Sequence, residues 1–240
     1  MNNRISNIVT LLTHIKSNST IDVQVEGTSM EPTMVSGDIV SIQPQDVYLP
    51  GDIIVFTYKN DCLLIHRLLK IENDRYFCKG DNSFRLEDIS VDQILGKAIR
   101  SNGLPIQRWN NELINLSYLV NRTFRNYGYN SDKTKESGIY RFYQRYVNRQ
   151  GYAGMIFKVT PKLECLIDSS CGWTANSHVN EGCILDKKHL SFFECLLKTC
   201  EFNNLITVLN KQYDGNSSDI SEMLEGYLVE AILKHWVDVF

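Results

Sequence analysis

The sequence predicts an α+β protein. A mostly antiparallel, partly closed β-barrel occupies the N-terminal part, and a helix-rich C-terminal domain with a small sheet follows. Three observations carry this. From residue 21 to about 107 the chain is a series of short runs rich in β-branched and aromatic residues, broken at Gly37, Gly51, Gly80 and Gly96. After Pro105 the apolar spacing lengthens from two residues to three and four. Near the C-terminus Ile220, Met223, Leu224, Tyr227, Leu228, Ala231, Ile232 and Trp236 form one apolar stripe at helical spacing.

The elements follow in order. In the opening stretch, Ile5, Ile8, Leu12 and Ile15 fall at helical spacing and predict a short amphipathic helix over residues 1–20, packed on its own domain or against a membrane surface or partner. "IDVQVE" alternates as a half-buried strand does. "GDIVSIQ" and "GDIIVFTY" each turn at Gly-Asp and run into strand-forming residues, and "CLLIHRLLKI", "RYFCKG" and "ILGKAIR" continue the series to the end of a β domain at 107. Residues 108–153 read as a helical connector: "RWNNELINLSYLVNRTFRN" is a helix, "YGYNSDKTKESG" a polar loop, and "IYRFYQRYVNRQ" a solvated helix face over packed tyrosines. Residues 154–240 read as strands near "MIFKVTPKLECLID", then three helices, the last capped at Ser217 or Ser218.

Composition narrows the function classes. A net charge of −3 argues against a general nucleic-acid binder. No apolar run reaches the roughly 20 residues of a membrane span, or the roughly 7–15 of a signal-peptide core. Seven cysteines, an odd number with no C-x-x-C pair, fit a reducing compartment, so the expected location is cytoplasmic. Cys165, Cys171, Cys183, Cys195 and Cys200, with His178 and His189, lack the paired spacing of a structural zinc site and read as buried thiols; neither metal nor cofactor is expected.

The chemistry centres on "EGTSMEPTM". Ser29 is a weak nucleophile unless a base takes its proton and donors stabilise the oxyanion. His66, inside the strand "LLIHRLLKI", is a candidate base, although a histidine there is by default a packed strand residue. Asp81, in the turn "KGDNS", is a candidate to orient it, giving a Ser29–His66–Asp81 triad.

In order and rough spacing, "GTSMEPTM", "SGDIVSIQP", "PGDIIVFTYKN", "LIHRLLKI", "KGDNS" and "ILGKAIR" resemble the signal peptidase and LexA-like serine peptidase superfamily over residues 20–100. The resemblance implies that Ser29 is the nucleophile, that a Lys or His on a later strand is the base, and that the G-D-N turn supplies a supporting acid. "IHR" resembles the histidine-using branch, whose base titrates near neutral pH. Lys70, of the same strand parity as His66, is the rival. That branch also carries an acid shortly after the G-D-N turn, where Glu87 and Asp88 both lie and the sequence does not choose. Family members often have a membrane anchor before the serine box, absent here. Gly27 stands where some members place an oxyanion-stabilising serine, which leaves the Ser29 N–H and a neighbour such as Thr28 as donors.

The C-terminal stretch "NNLITVLNKQYDGNSSDISEMLEGYLVEAIL" is similar in pattern to PqqD-like precursor-recognition domains, in which a leader peptide adds as a strand to a small sheet. Together the resemblances imply a soluble serine endopeptidase that cleaves a leader or signal-like segment of a ribosomally made precursor. The expected partners are that precursor and modification-pathway or exporter proteins, with no nucleic acid and no integral membrane segment. Two alternatives stand beside it. One is a self-cleaving LexA-like regulator, for which "HIKSNSTIDVQVE" holds no small-residue scissile pair and 20 residues hold no DNA-binding domain. The other is a non-catalytic peptide-binding module, against which the intact Ser29, His66 and Asp81 argue.

Overall fold

The β-rich half is a single curled antiparallel sheet, a half-barrel that follows from the strand pattern. The structure is a computed structural model. It describes residues 20–59, 62–150, 152, 154–160, 192–193, 195–196, 201–212 and 217–240. The expected N-terminal helix therefore lies outside the described residues, as do Cys165, Cys171, Cys183, Cys200, His178 and His189.

The strands are β1 (Ile21–Gln24), β2 (Ile39–Gln43), β3 (Ile53–Tyr58), β4 (Cys62–Glu72), β5 (Arg75–Lys79), β6 (Glu87–Ser90), β7 (Ile94–Ser101) and β8 (Leu104–Pro105). They run in the order β1-β2-β7-β3-β4-β5-β6, with β8 pairing β7. Every pairing within the sheet is antiparallel.

The run "IIVF" in β3 explains how the sheet curls around two cores. A continuous apolar run belongs to a strand covered on both faces. Ile53 and Val55 join Met30, Met34, Val40, Ile42, Leu95 and Ala98. Ile54 and Phe56 join Tyr48, Leu68, Cys78 and Ile89 on the other face. Because directly opposed residues share a face, the β3–β4 register places His66 with Ile54 and Arg67 with Ile53. Two adjacent polar residues are thus buried on opposite sides of one strand.

Helix α1 (Asn111–Asn126) is capped by Asn110, whose side chain accepts from the Leu113 N–H at 3.0 Å. It buries Ile114, Leu116, Val120 and Phe124. Phe124 stacks on Phe84 with centroids 5.4 Å apart, and Asn121 Nδ2 donates to the Phe84 carbonyl at 2.7 Å. The chain divides into two compact units between Ser131 and Asp132. Helix α1 therefore falls in the first, beyond the end expected at 107.

The polar stretch expected to be a loop contains a six-residue helix, α2 (Ser131–Glu136). Helix α3 (Gly138–Val147) follows, with the Ser137 side chain accepting from the Tyr140 N–H at 3.2 Å. The second unit also holds β9 (Phe157–Val159), α4 (Phe202–Gln212), α5 (Ser217–Leu233) and β10 (Val237–Val239). Strands β9 and β10 pair antiparallel, and α5 packs against β10. The apolar stripe of α5 lies in the core: Leu224, Leu228 and Ala231 are fully buried. Phe142, Tyr152, Phe157 and Phe202 form the aromatic centre beside it. The mixed α+β architecture agrees with the class read from the sequence.

Phe56 is the largest fully buried apolar side chain on the face of β3 that is continuous with His66 of β4. Phe56→Ala is expected to cost about 3–5 kcal/mol in urea unfolding.

Candidate functional site

The serine box folds as a loop pinned from below. Met30 and Met34, flanking "EPT", are both buried in the first core, and the Met34 N–H bonds the Met30 carbonyl at 3.0 Å. Gly27 opens the loop at φ +88°, a left-handed conformation that glycine adopts without a Cβ clash. The anchored methionines leave Ser29 half-exposed at the surface of the sheet.

The "KGDNS" turn closes on this loop. The Asn82 N–H donates to the Ser29 carbonyl at 2.8 Å, and Asn82 Nδ2 to the Thr28 carbonyl at 3.3 Å. Gly80 comes so close that a Cβ there would sit 2.5 Å from the Ser29 carbonyl oxygen and 3.0 Å from His66 Nε2. Glycine is required because a side chain would push the serine and histidine apart.

His66 is 5% exposed and bridges two partners. Nε2 lies 3.1 Å from Ser29 Oγ, and Nδ1 lies 2.9 Å from Glu87 Oε2. Facing an ionised carboxylate, Nδ1 is assigned the ring proton, which leaves the Nε2 lone pair directed at the serine hydroxyl. The Phe56 ring stands 6.1 Å from the imidazole and shields it. Ser29, His66 and Glu87 therefore form one continuous hydrogen-bonded chain.

The carboxylate beside His66 Nδ1 is that of Glu87, and the Asp81 expected there is placed elsewhere. Asp81 receives Arg67 Nε at 2.9 Å, Arg67 Nη2 at 2.7 Å and the Thr33 hydroxyl at 2.5 Å. Both Arg67 and Asp81 side chains are fully buried. Arg67 also donates to the Gly51 carbonyl at 2.9 Å and lies 3.8 Å from the Trp109 ring centre, a cation–π contact. The reason is strand parity. Leu68 opposes Cys78, and Cys78 opposes Glu87, so Glu87 shares the face of His66. Arg67 opposes Lys79, and Asp81 extends that alternate set onto the other face. A permanently charged guanidinium is also a stronger partner for a buried carboxylate than a neutral imidazole.

Parity also decides between Glu87 and Asp88. Asp88 opposes Phe77 and pairs at the surface with Arg75, at 2.7 Å. Lys70, the rival base, is carried off by a bulge: the register shifts between Leu68 and Lys70, so Lys70 opposes Phe77 and faces away from His66. Its ammonium pairs with Glu72 at 2.9 Å, and that bond raises its pKa, the wrong direction for a base.

An open cleft of about 410 Å³ lies beside Ser29, lined by Gly27, Thr28, Asn82, Phe84, Arg85 and Phe124. Its wall is the aromatic pair that ties α1 to the turn. Among the described residues no group of three or more His, Cys, Asp or Glu side chains is placed to hold a metal ion. No helix there is long and apolar enough to cross a membrane. Of the expected thiols in the C-terminal half, Cys195 is described and buried.

Residues 4–99 match the model of the Peptidase S24-like family, within the LexA and signal peptidase superfamily. No curated protein matches the chain. The family match supports a serine-peptidase or LexA-like self-cleaving fold for the N-terminal part.

Arg67 stays charged whatever its neighbour, so Asp81→Asn leaves a buried cation without its carboxylate. That variant is expected to lose about 3–5 kcal/mol in urea unfolding at neutral pH. Wild-type stability for Asp81→Asn would contradict the structural role assigned here to the Arg67–Asp81 pair.

Proposed function

We propose that the chain is a serine endopeptidase with Ser29 as nucleophile, His66 as general base and Glu87 as the acid that orients it. The single observation that carries this reading is the chain from Ser29 Oγ to His66 Nε2 at 3.1 Å and from His66 Nδ1 to Glu87 Oε2 at 2.9 Å. As a peptide carbonyl approaches Ser29 Oγ, His66 Nε2 takes the hydroxyl proton and Glu87 stabilises the imidazolium that forms. The carbonyl oxygen, now anionic, is met by the backbone N–H of Ser29, with no side-chain donor at Gly27. His66 then returns the proton to the leaving amine, and water hydrolyses the acyl-Ser29 by the same relay.

The substrate we assign is a ribosomally made precursor peptide, cut in a leader or signal-like segment. Support comes from the second unit, where the two-stranded β9–β10 sheet packs its β10 against the long helix α5. A leader adding as a strand to such a sheet, beside its helix, is a common mode of peptide capture. Strand β10 follows the last helix, a departure from the strands-then-helices order of the PqqD-like pattern.

The family match favours a second reading, self-cleavage of a LexA-like kind. Incubation of the purified chain alone and with precursor peptides encoded beside its gene separates the two. The endopeptidase reading expects cut precursor and intact enzyme, and no cutting by Ser29→Ala. A self-cut chain with untouched precursors points to the second reading. Precursor cleavage that survives Ser29→Ala overturns both.

A further inference from the structure

Beside the Ser29–His66–Glu87 chain lies a buried cation that the reaction does not use. Lys79, the last residue of β5, is fully buried, its stem packed within the sheet. Its Nζ donates to the carbonyl of Gly80 at 3.0 Å and to that of Ser83 at 2.7 Å. These carbonyls mark the two ends of the "GDNS" turn, which also closes on itself through the Ser83 N–H and the Gly80 carbonyl at 2.9 Å. From that turn the Asn82 N–H reaches the Ser29 carbonyl, and Gly80 abuts Ser29 and His66. One ammonium therefore ties the turn that sets the approach of nucleophile to base.

Stability alone does not account for a lysine here. Burial pushes the ammonium down to about 8 from 10.5, against the upward pull of Asp81 in the turn and Glu87 on β6, with Arg67 on β4 adding to the fall. A folded value below the unfolded one means that folding disfavours the charge. This cost is complete below about pH 8 and fades as the pH rises toward 10.5. The same two carbonyls are bonded most strongly by the charged form, because N⁺–H···O bonds are about twice as strong as neutral ones.

We propose that Lys79 is a positioning residue of this site, acting through the Gly80–Ser83 turn to hold Ser29 in register with His66. The inference rests on the peptidase reading above. Lys79 touches no reacting atom. As it loses its proton the turn loosens, so Ser29 reactivity falls in the mildly alkaline range.

The test is the rate at which a fluorophosphonate modifies Ser29 in the full chain, read by mass spectrometry from about pH 6 to about pH 10. Wild type is expected to decline above about pH 8. Lys79→Met is expected to react roughly tenfold more slowly at neutral pH, and without the alkaline decline. Lys79→Gln keeps donors but cannot titrate, so it should regain part of the rate and also lack the decline. A wild-type rate in Lys79→Met, or an alkaline decline kept by both variants, overturns the proposal. A second measurement needs neither variant nor reaction: the lysine Cε resonance of wild-type Lys79 and the backbone amides of Ser29, Asn82 and Ser83, followed by NMR. The amides are expected to shift with the Lys79 midpoint, and amides that ignore it overturn the coupling. A wild-type chain whose Ser29 stays unmodified at every pH counts against the peptidase reading instead, and the amide titration still decides whether Lys79 controls the turn.

Discussion

Two neighbouring residues of β4, His66 and Arg67, point to opposite faces of a sheet that is buried on both sides, and each brings its own carboxylate inside. His66 is held by Glu87 from β6 and Arg67 by Asp81 from the turn after β5. The two pairs cannot be exchanged without slipping the strand by one residue, which would turn every apolar neighbour to the wrong face as well. Register on β4 therefore fixes the imidazole, and through it the position at which Ser29 must be presented. The methionines beneath the serine loop and the glycine at position 80 serve that presentation.

Buried ion pairs are weak sources of stability, because desolvation offsets most of the attraction. Arg67–Asp81 is better understood as a constraint. It ties β4 to the "KGDNS" turn, while Arg67 also grips the Gly51 carbonyl and stacks on Trp109. Lys79 acts on the same turn from the adjacent strand position. The charged residues around the site thus hold backbone in place, and in the mechanism proposed the chemistry is left to a neutral serine–histidine couple and one acid.

Much of this was legible in the sequence. The glycine-punctuated runs between 21 and 107 gave the strands, and the spacing after Pro105 gave the helices. The motifs around Ser29 and His66 named two residues that the fold brings within hydrogen-bond reach. Asp81, expected beside His66, instead pairs with Arg67, because a motif fixes order along the chain and not the face of a sheet. Counting alternation from His66 across to Cys78 and Glu87 would have placed Glu87 on the face of His66, and Arg67, next to His66, already offered Asp81 a stronger partner. Lys70 defeats the same counting, since a bulge leaves no plain mark in residue type. The role of Lys79 was hidden because it depends on two backbone carbonyls that no residue pattern reveals.

The central claim, that His66 held by Glu87 activates Ser29, is tested most directly by covalent capture. The wild-type chain, His66→Ala and Glu87→Gln are treated with a fluorophosphonate at neutral pH and the modified peptide is located by mass spectrometry. The account expects a single adduct on Ser29 in wild type, none in His66→Ala, and a strongly slowed reaction in Glu87→Gln. An adduct on Ser29 that forms equally well in His66→Ala, or a wild-type chain modified at another serine and not at Ser29, would contradict it.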